Sequence, residues 1–327
     1  MLNRTANALY WMSRYLERAE STARLMEVNL QLSLDLPTEA EGTWEAVVET
    51  TGDLDLFHER YKTADRQTVF HFLAFDAQNP NSVLECVKAA RENARTVREQ
   101  LPGEAWEGTN TLHLHLREAA ASAGPLTHLD ETVGFVRASG RQLEGILVAG
   151  LSREEGWYFG QLGRTCERAD QTSRLVDVNH RLLEGKGWDA DHPTRWEAVL
   201  KSASALQMYR RRHGATEGSR VAEFLLLDET FPRSLAFCLN QAEEALRALT
   251  GTPSGGFKND AEKALGKLAS EVRYTEFKDV RAPGVHGWLD NFQSRLNEVG
   301  LEIQREYFES VSVPSGAGRE MEQQQQQ

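Results

Sequence analysis

Glu17-Arg18 and Glu167-Arg168 are the residues whose types and spacing could do chemistry. Each pair sits among further arginines at helical spacing, Arg14 and Arg24 in the first segment, Arg164 and Arg174 in the second. A carboxylate can act as a general base, and a guanidinium's planar fork grips a carboxylate or phosphate through two parallel hydrogen bonds. Adjacent residues on a helix point about 100° apart, so Glu17 and Arg18 cannot pair with each other. Glu17 can reach back to Arg14, but Arg18 needs a partner elsewhere in the fold. The economical expectation is that the two segments meet. Glu17 would then face Arg168 or Arg164, and Glu167 would face Arg18 or Arg14.

Two readings of this cluster follow. As a core network, the ion pairs fix how two parts of the chain dock, because a buried charge is tolerable only when paired and hydrogen-bonded. As a site, six arginines against Glu17 and Glu167 leave a cationic surplus that a carboxylate or phosphate would balance, even with Glu20, Glu27, Asp170 and Asp177 nearby. Arg233 is a further candidate for that cleft. Catalysis by Glu17 or Glu167 as a general base meets a physical objection. Such a base needs its pKa raised toward neutrality, and surrounding arginines lower it.

The elements that must hold these residues are helices. Leu9, Met12, Leu16, Ala19, Ala23, Met26 and Leu30 form one apolar stripe at spacings of three and four. In "NPNSVLECVKAARENARTVREQL" Asn79 is placed to cap a helix with Pro80 in its first turn. "GWLDNFQSRLNEVGLEIQREYF" reads as another long amphipathic helix, and alternating β-branched runs are scarce. The fold class expected is all-α.

The two charged segments also repeat each other. Arg14–Asn29 and Arg164–Asn179 are identical at 9 of 16 positions, where about one match is expected by chance. With a slip of two residues the correspondence continues from Trp44 to Trp196. "HFLAFDAQNPNSVLEC" lines up with "EFLLLDETFPRSLAFC", matching Asp76 with Asp228, Ser82 with Ser234 and Cys86 with Cys238. The expected architecture is a large helical bundle of two tandem copies, residues 1–150 and 151–312, packed about a pseudo-two-fold axis. Residues 313–327, polar and rich in glutamine, are expected to form a disordered tail.

Composition narrows the function classes. A net charge of −12 over 327 residues argues against a nucleic-acid footprint or an anionic membrane surface. Three cysteines without a Cys-x-x-Cys spacing fit a reducing cytoplasm rather than a disulfide framework. No apolar run approaches the roughly 18 residues of a membrane span, and the charged N-terminus is not expected to act as a signal peptide. P-loop, dinucleotide-binding and nucleophile-elbow signatures are missing, as are paired Glu-x-x-His motifs, so neither a cofactor nor a metal is expected.

Weaker constellations have ordinary explanations. Asp177 and His180 have metal-like spacing, but Leu30 stands opposite His180 in the first segment, and a solvated helix end accounts for the pair. His113 and His115 point to different sides of a helix and belong to the surface. Cys86 and Cys238 read as small core residues, Asp76 and Asp228 as helix caps, and Tyr209–Gly214, "YRRRHG", as a basic run that can meet an acidic partner.

"LYWMSRYLERAESTARLMEVN", "NPNSVLECVKAARENARTVREQL" and "FLLLDETFPRSL" together resemble the alpha-E family, bacterial all-helical proteins named for a Glu-Arg motif. The likeness covers nearly all of residues 1–312. The family's Glu-Arg motif falls on Glu17-Arg18, its Asn-Pro-x-Ser on Asn79–Ser82, its Ala-Arg-Glu-Asn-Ala-Arg on Ala90–Arg95 and its Pro-Arg-Ser on Pro232–Ser234. The usual Asn-Pro-Ser-Ser reads Asn-Pro-Asn-Ser here. The resemblance implies genes beside, or fused to, ATP-grasp ligases and transglutaminase-like peptidases, and a part in making or modifying a peptide. It implies no established reaction. The expectation is an accessory or scaffold subunit holding an anion between its repeats, with an amide-forming or amide-cleaving enzyme as the alternative.

Overall fold

A computed structural model describes residues 1–35, 43–122, 129–185 and 193–309. The tail expected at 313–327 lies outside the described residues. All regular structure among them is helical. The first half runs through α1 (Asn3–Asp35), α2 (Thr43–Thr51), α3 (Leu54–Arg60), α4 (Arg66–Ala74), α5 (Val83–Thr96), α6 (Gly103–Ala121) and α7 (Leu129–Gly150). The second runs through α8 (Glu155–Gly185), α9 (Pro193–Ser202), α10 (Leu206–His213), α11 (Gly218–Leu227), α12 (Leu235–Thr250), α13 (Asp260–Tyr274), α14 (Phe277–Arg281) and α15 (Val285–Tyr307).

The long helices α1 and α8 form the axis of the molecule and run side by side in the same direction. The N-terminal amine of Met1 pairs with Glu155, Tyr10 lies against Gly163, and Glu17 meets Arg168. All seven residues of the apolar stripe of α1 are buried. The close approach depends on glycine. A Cβ at Gly163 would stand 2.3 Å from the carbonyl oxygen of Tyr10, and one at Gly156 or Gly160 would touch Leu9 or Ser13. Glycine inside a helix costs about 0.5–1 kcal/mol relative to alanine, a cost offset here by contact between the two longest elements.

The remaining helices wrap this pair. Helix α5 packs on α1, α6 on α5 and α7 on α6, with α7 returning to α1; α12 packs on α8, α13 on α12 and α15 on α13, with α15 returning to α8. One apolar core runs through both groups. No linker parts the halves, only the short joint 151–154 between α7 and α8.

The cap of α5 differs from the sequence expectation. The helix starts at Val83, and the Ser82 side chain accepts from Glu85 N. Asn79, fully buried, accepts from Asn81 N and donates to the Phe72 carbonyl, so it closes the turn ahead of the helix. Ser234 caps α12 in the same manner by accepting from Phe237 N.

Candidate functional site

The two Glu-Arg segments lie face to face at the centre of the fold. Arg168 donates to Glu17 through Nε at 3.0 Å and Nη2 at 2.7 Å. Arg18 makes the same two-pronged grip on Glu167, at 2.6 and 2.9 Å. Each carboxylate takes one more guanidinium. Arg14 Nε donates to Glu167 at 2.8 Å, whereas Glu17 is reached by Arg233 at 2.5 Å, from the turn before α12. Glu167 is 0% exposed and Glu17 6%, so these charges are held in the interior only by their partners.

The other candidates stand further out. Arg24 donates to Glu20 at 2.8 Å and to the Ser202 carbonyl at 2.6 Å, and Arg233 Nη2 reaches Glu20 at 3.2 Å. Arg164 does not join Glu17; it turns to Glu144 at 3.5 Å and to Gln161. Arg174 pairs with Asp170 one turn earlier at 3.0 Å. Sequence reasoning missed Asn81, Arg141 and Glu144. Asn81 accepts from Arg18 and donates to Asp53 at 2.7 Å. It stands opposite Arg233 in the aligned segments, which was signal enough to include it. Arg141, 3.9 Å from Glu20, and Glu144, both on α7, carry no local signal.

The electrostatics follow from this packing. Burial would raise the Glu17 carboxyl, but Arg168 and Arg233 override it and hold the group well below its ordinary range. Glu167 is likewise raised by burial, then brought down to about 2 by Arg18 and Arg14. Neither can accept a proton as a base near neutral pH. Burial, with Arg233 close by, pushes Arg24 down to about 10. Burial raises the Cys86 and Cys238 thiols to about 12 and leaves them as core residues.

Space is distributed unevenly around the pairs. Cavities of about 20 Å³ and 30 Å³ touch the Glu17 side. A cleft of about 310 Å³ opens beside Glu167, between α1, α8 and α15, with Trp11, Arg14, Asp170, Leu296 and Phe308 on its walls. Arg14 spends Nε on Glu167 and Nη1 on the Tyr10 hydroxyl, and lies over the Trp11 ring. Its Nη2 has no partner among the described residues.

The weaker motifs resolve plainly. Asp177 accepts from His286 at 2.8 Å and lies 3.7 Å from Arg181. Among the described residues no cluster of three or more potential ligands could hold a metal ion. His115 packs against Phe135 with ring centres 4.1 Å apart and the planes tilted by 35°. The basic run is largely spent within the chain, Arg210 on Glu197 and Arg212 on Asp228, with Tyr209 buried. Asp228 accepts from Thr230 N and Phe231 N in the turn before α12. None of the described helices is long and apolar enough to cross a membrane.

An all-helical body with two buried, mutually paired Glu-Arg helices is the class of protein this fold and site define. Residues 1–308 match the family model Alpha-E, described as a predicted alpha-helical domain with a conserved ER motif. The chain belongs to the Alpha-E family. It is 24% identical over 314 residues to uncharacterized proteins of Mycobacterium bovis and Mycobacterium tuberculosis. The match covers 88% of this chain and 34% of each relative, so the chain spans about a third of the length of those proteins. No solved structure matches it.

Proposed function

We propose that this chain is a non-catalytic binding or scaffold subunit. In this reading it works in the cytoplasm with an ATP-grasp amide ligase, and with a transglutaminase-like peptidase, in making or modifying a peptide. The ligand is an anionic group, a carboxylate or phosphate, held where the two Glu-Arg helices leave room. No cofactor of the chain's own is called for.

The observation that carries the reading is the contrast between Glu167 and Arg14. The carboxylate is sealed and fully paired, whereas the arginine beside it lines a cleft of about 310 Å³ and spends only Nε and Nη1 in hydrogen bonds among the described residues. A guanidinium so placed binds an anion more readily than its neighbour performs proton transfer. The enzyme alternative, with Glu17 or Glu167 as the base, is disfavoured because both carboxyls are held far below neutrality. In the mycobacterial relatives the matched segment is one part of a longer chain, an arrangement suited to a module that acts beside another.

The body is read as two copies of one module, residues 1–150 and 151–312, about a pseudo-two-fold axis between α1 and α8. Reciprocal contacts support this. Glu17–Arg168 and Glu167–Arg18 exchange roles, and Cys86 Sγ and Cys238 Sγ donate to the carbonyls of Pro80 and Pro232. The chain turns left-handed at Gly52 (φ 83°) and again at Ser204 (φ 52°), with Arg174 over the first and Arg24 bonded to the second.

The test is reconstitution. The purified chain, mixed with an ATP-grasp ligase, should elute as a stable complex and raise the yield of ligated peptide. A free monomer that turns over a substrate unaided overturns the reading.

A further inference from the structure

The two sides of the Glu-Arg seam are not equally balanced in charge, although Glu20 and Glu144 stand on the Arg168 side. On one side Arg18 uses Nε and Nη2 on Glu167 and gives Nη1 to Asn81, which passes a hydrogen bond to the carboxylate of Asp53. On the other side Arg168 uses Nε and Nη2 on Glu17, with Nη2 also reaching Glu144. Its Nη1 has no acceptor among the described residues. In the aligned segments Arg233 stands where Asn81 does, and Ala205 where Asp53 does. An acceptor and a carboxylate have been replaced by a cation and a methyl group.

A small cavity lies at this point. Its wall includes Ser21, Arg24, Arg168, Gln171, Thr172 and Arg233, and no carboxylate side chain. The Arg24 side chain is 3% exposed and that of Arg168 8%. Burial and the neighbouring Arg233 depress Arg24, although Glu20 and Glu17 oppose the shift. The volume, about 20 Å³, exceeds the roughly 10–15 Å³ that one water needs. Room of this order suits one small ion, and the surplus to be balanced is a single charge, Arg24, Arg168 and Arg233 against Glu17 and Glu20.

We propose that the cavity between Arg24, Arg168 and Arg233 is a binding site for a single monatomic anion, chloride under physiological conditions. The ion accepts from Arg168 Nη1 and sits where the other side of the seam supplies Asp53. Correspondence between the two sides rests on the duplicated-module reading. The site itself is separate from the cleft at Arg14, so each can fail without the other.

Thermal unfolding of the isolated full chain tests this, in sodium chloride against sodium gluconate at equal ionic strength. The melting temperature should rise saturably by roughly 2–5 °C in chloride, as binding to the folded state alone requires. Bromide should act alike, and gluconate and phosphate should not. Arg233→Asn combined with Ala205→Asp installs the opposite side's arrangement and should abolish the dependence. Crystals of the wild-type chain soaked in bromide give a second readout that does not depend on that variant folding. An anomalous peak is expected among the three guanidinium groups. Lack of any halide dependence, an equal response to phosphate, or no bromide peak at that position overturns the proposal.

Discussion

Glu17 on α1 accepts two hydrogen bonds from Arg168 on α8, 151 positions away in sequence, with both side chains inside the core. The pair joins the two longest helices of the protein and has a reciprocal in Glu167 and Arg18. Removing Glu17 leaves Arg168 and Arg233 as buried cations without their main acceptor. Glu17→Ala is therefore expected to destabilise the fold by ~3–5 kcal/mol in urea unfolding. Adding Arg168→Met should recover part of that loss, so the double variant should be more stable than the sum of the singles. Additive losses would mean the pair does not couple the helices.

Acid should expose the same dependence. Glu167 has its pKa lowered from 4.5 to about 2 in the folded chain. A group depressed on folding contributes stability that is complete above its unfolded pKa and is lost as pH falls toward its folded pKa. Unfolding free energy should thus decline as pH drops below 4.5 and continue to fall toward 2. Glu17, depressed for the same reason, adds to that slope. Urea titrations over this range provide the check. A stability that stays flat down to pH ~3 would contradict the pairing.

Helix α8 supplies a third expectation through its glycines. Gly163→Ala places a methyl group 2.3 Å from the Tyr10 carbonyl, a fixed backbone atom, and must push α1 and α8 apart. The loss should be at least ~3 kcal/mol, at the upper end of overpacking costs. Gly145→Ala on α7 meets nothing within 4 Å and should gain about 0.5–1 kcal/mol from helix propensity. Calorimetric melting of the two variants separates close approach from propensity.

How much of this is legible in the sequence depends on the range of the interaction. The stripe from Leu9 to Leu30 reads directly, because a 3.6-residue period is a local signal. The meeting of the Glu-Arg segments is also legible, because Arg18 has no local partner and its charge must be satisfied. Which arginine completes each carboxylate is not. Arg14 and Arg164 are equivalent in sequence, yet Arg14 binds Glu167 while Arg233, 216 positions from Glu17, occupies the place Arg164 could have taken. Asn79 and Ser82 are both good capping residues, and only the turn that Asn79 closes with Phe72 leaves the cap to Ser82. The cleft at Arg14 needs α15, whose contribution is invisible until the helices are packed.

Arg14 stands at the junction between the ion-pair seam and that cleft, so its substitution separates structure from binding. Glu167 keeps the two-pronged grip of Arg18 when Arg14 is removed, and the Arg14 side chain is 17% exposed. Arg14→Met preserves the packing on Trp11 and Tyr10, and should cost no more than about 1–3 kcal/mol, the range for losing one hydrogen bond to a charged group. The same change removes the guanidinium that lines the cleft, and under the proposed partnership with a ligase the yield of ligated peptide should fall by at least about tenfold, the equivalent of 1.4 kcal/mol of lost binding. Arg14→Lys retains the charge but not the fork, and should recover stability more than yield. Urea unfolding beside the reconstituted reaction gives both readouts on one set of variants. If yield tracks stability across Met and Lys, Arg14 serves the seam alone and the cleft holds no anion.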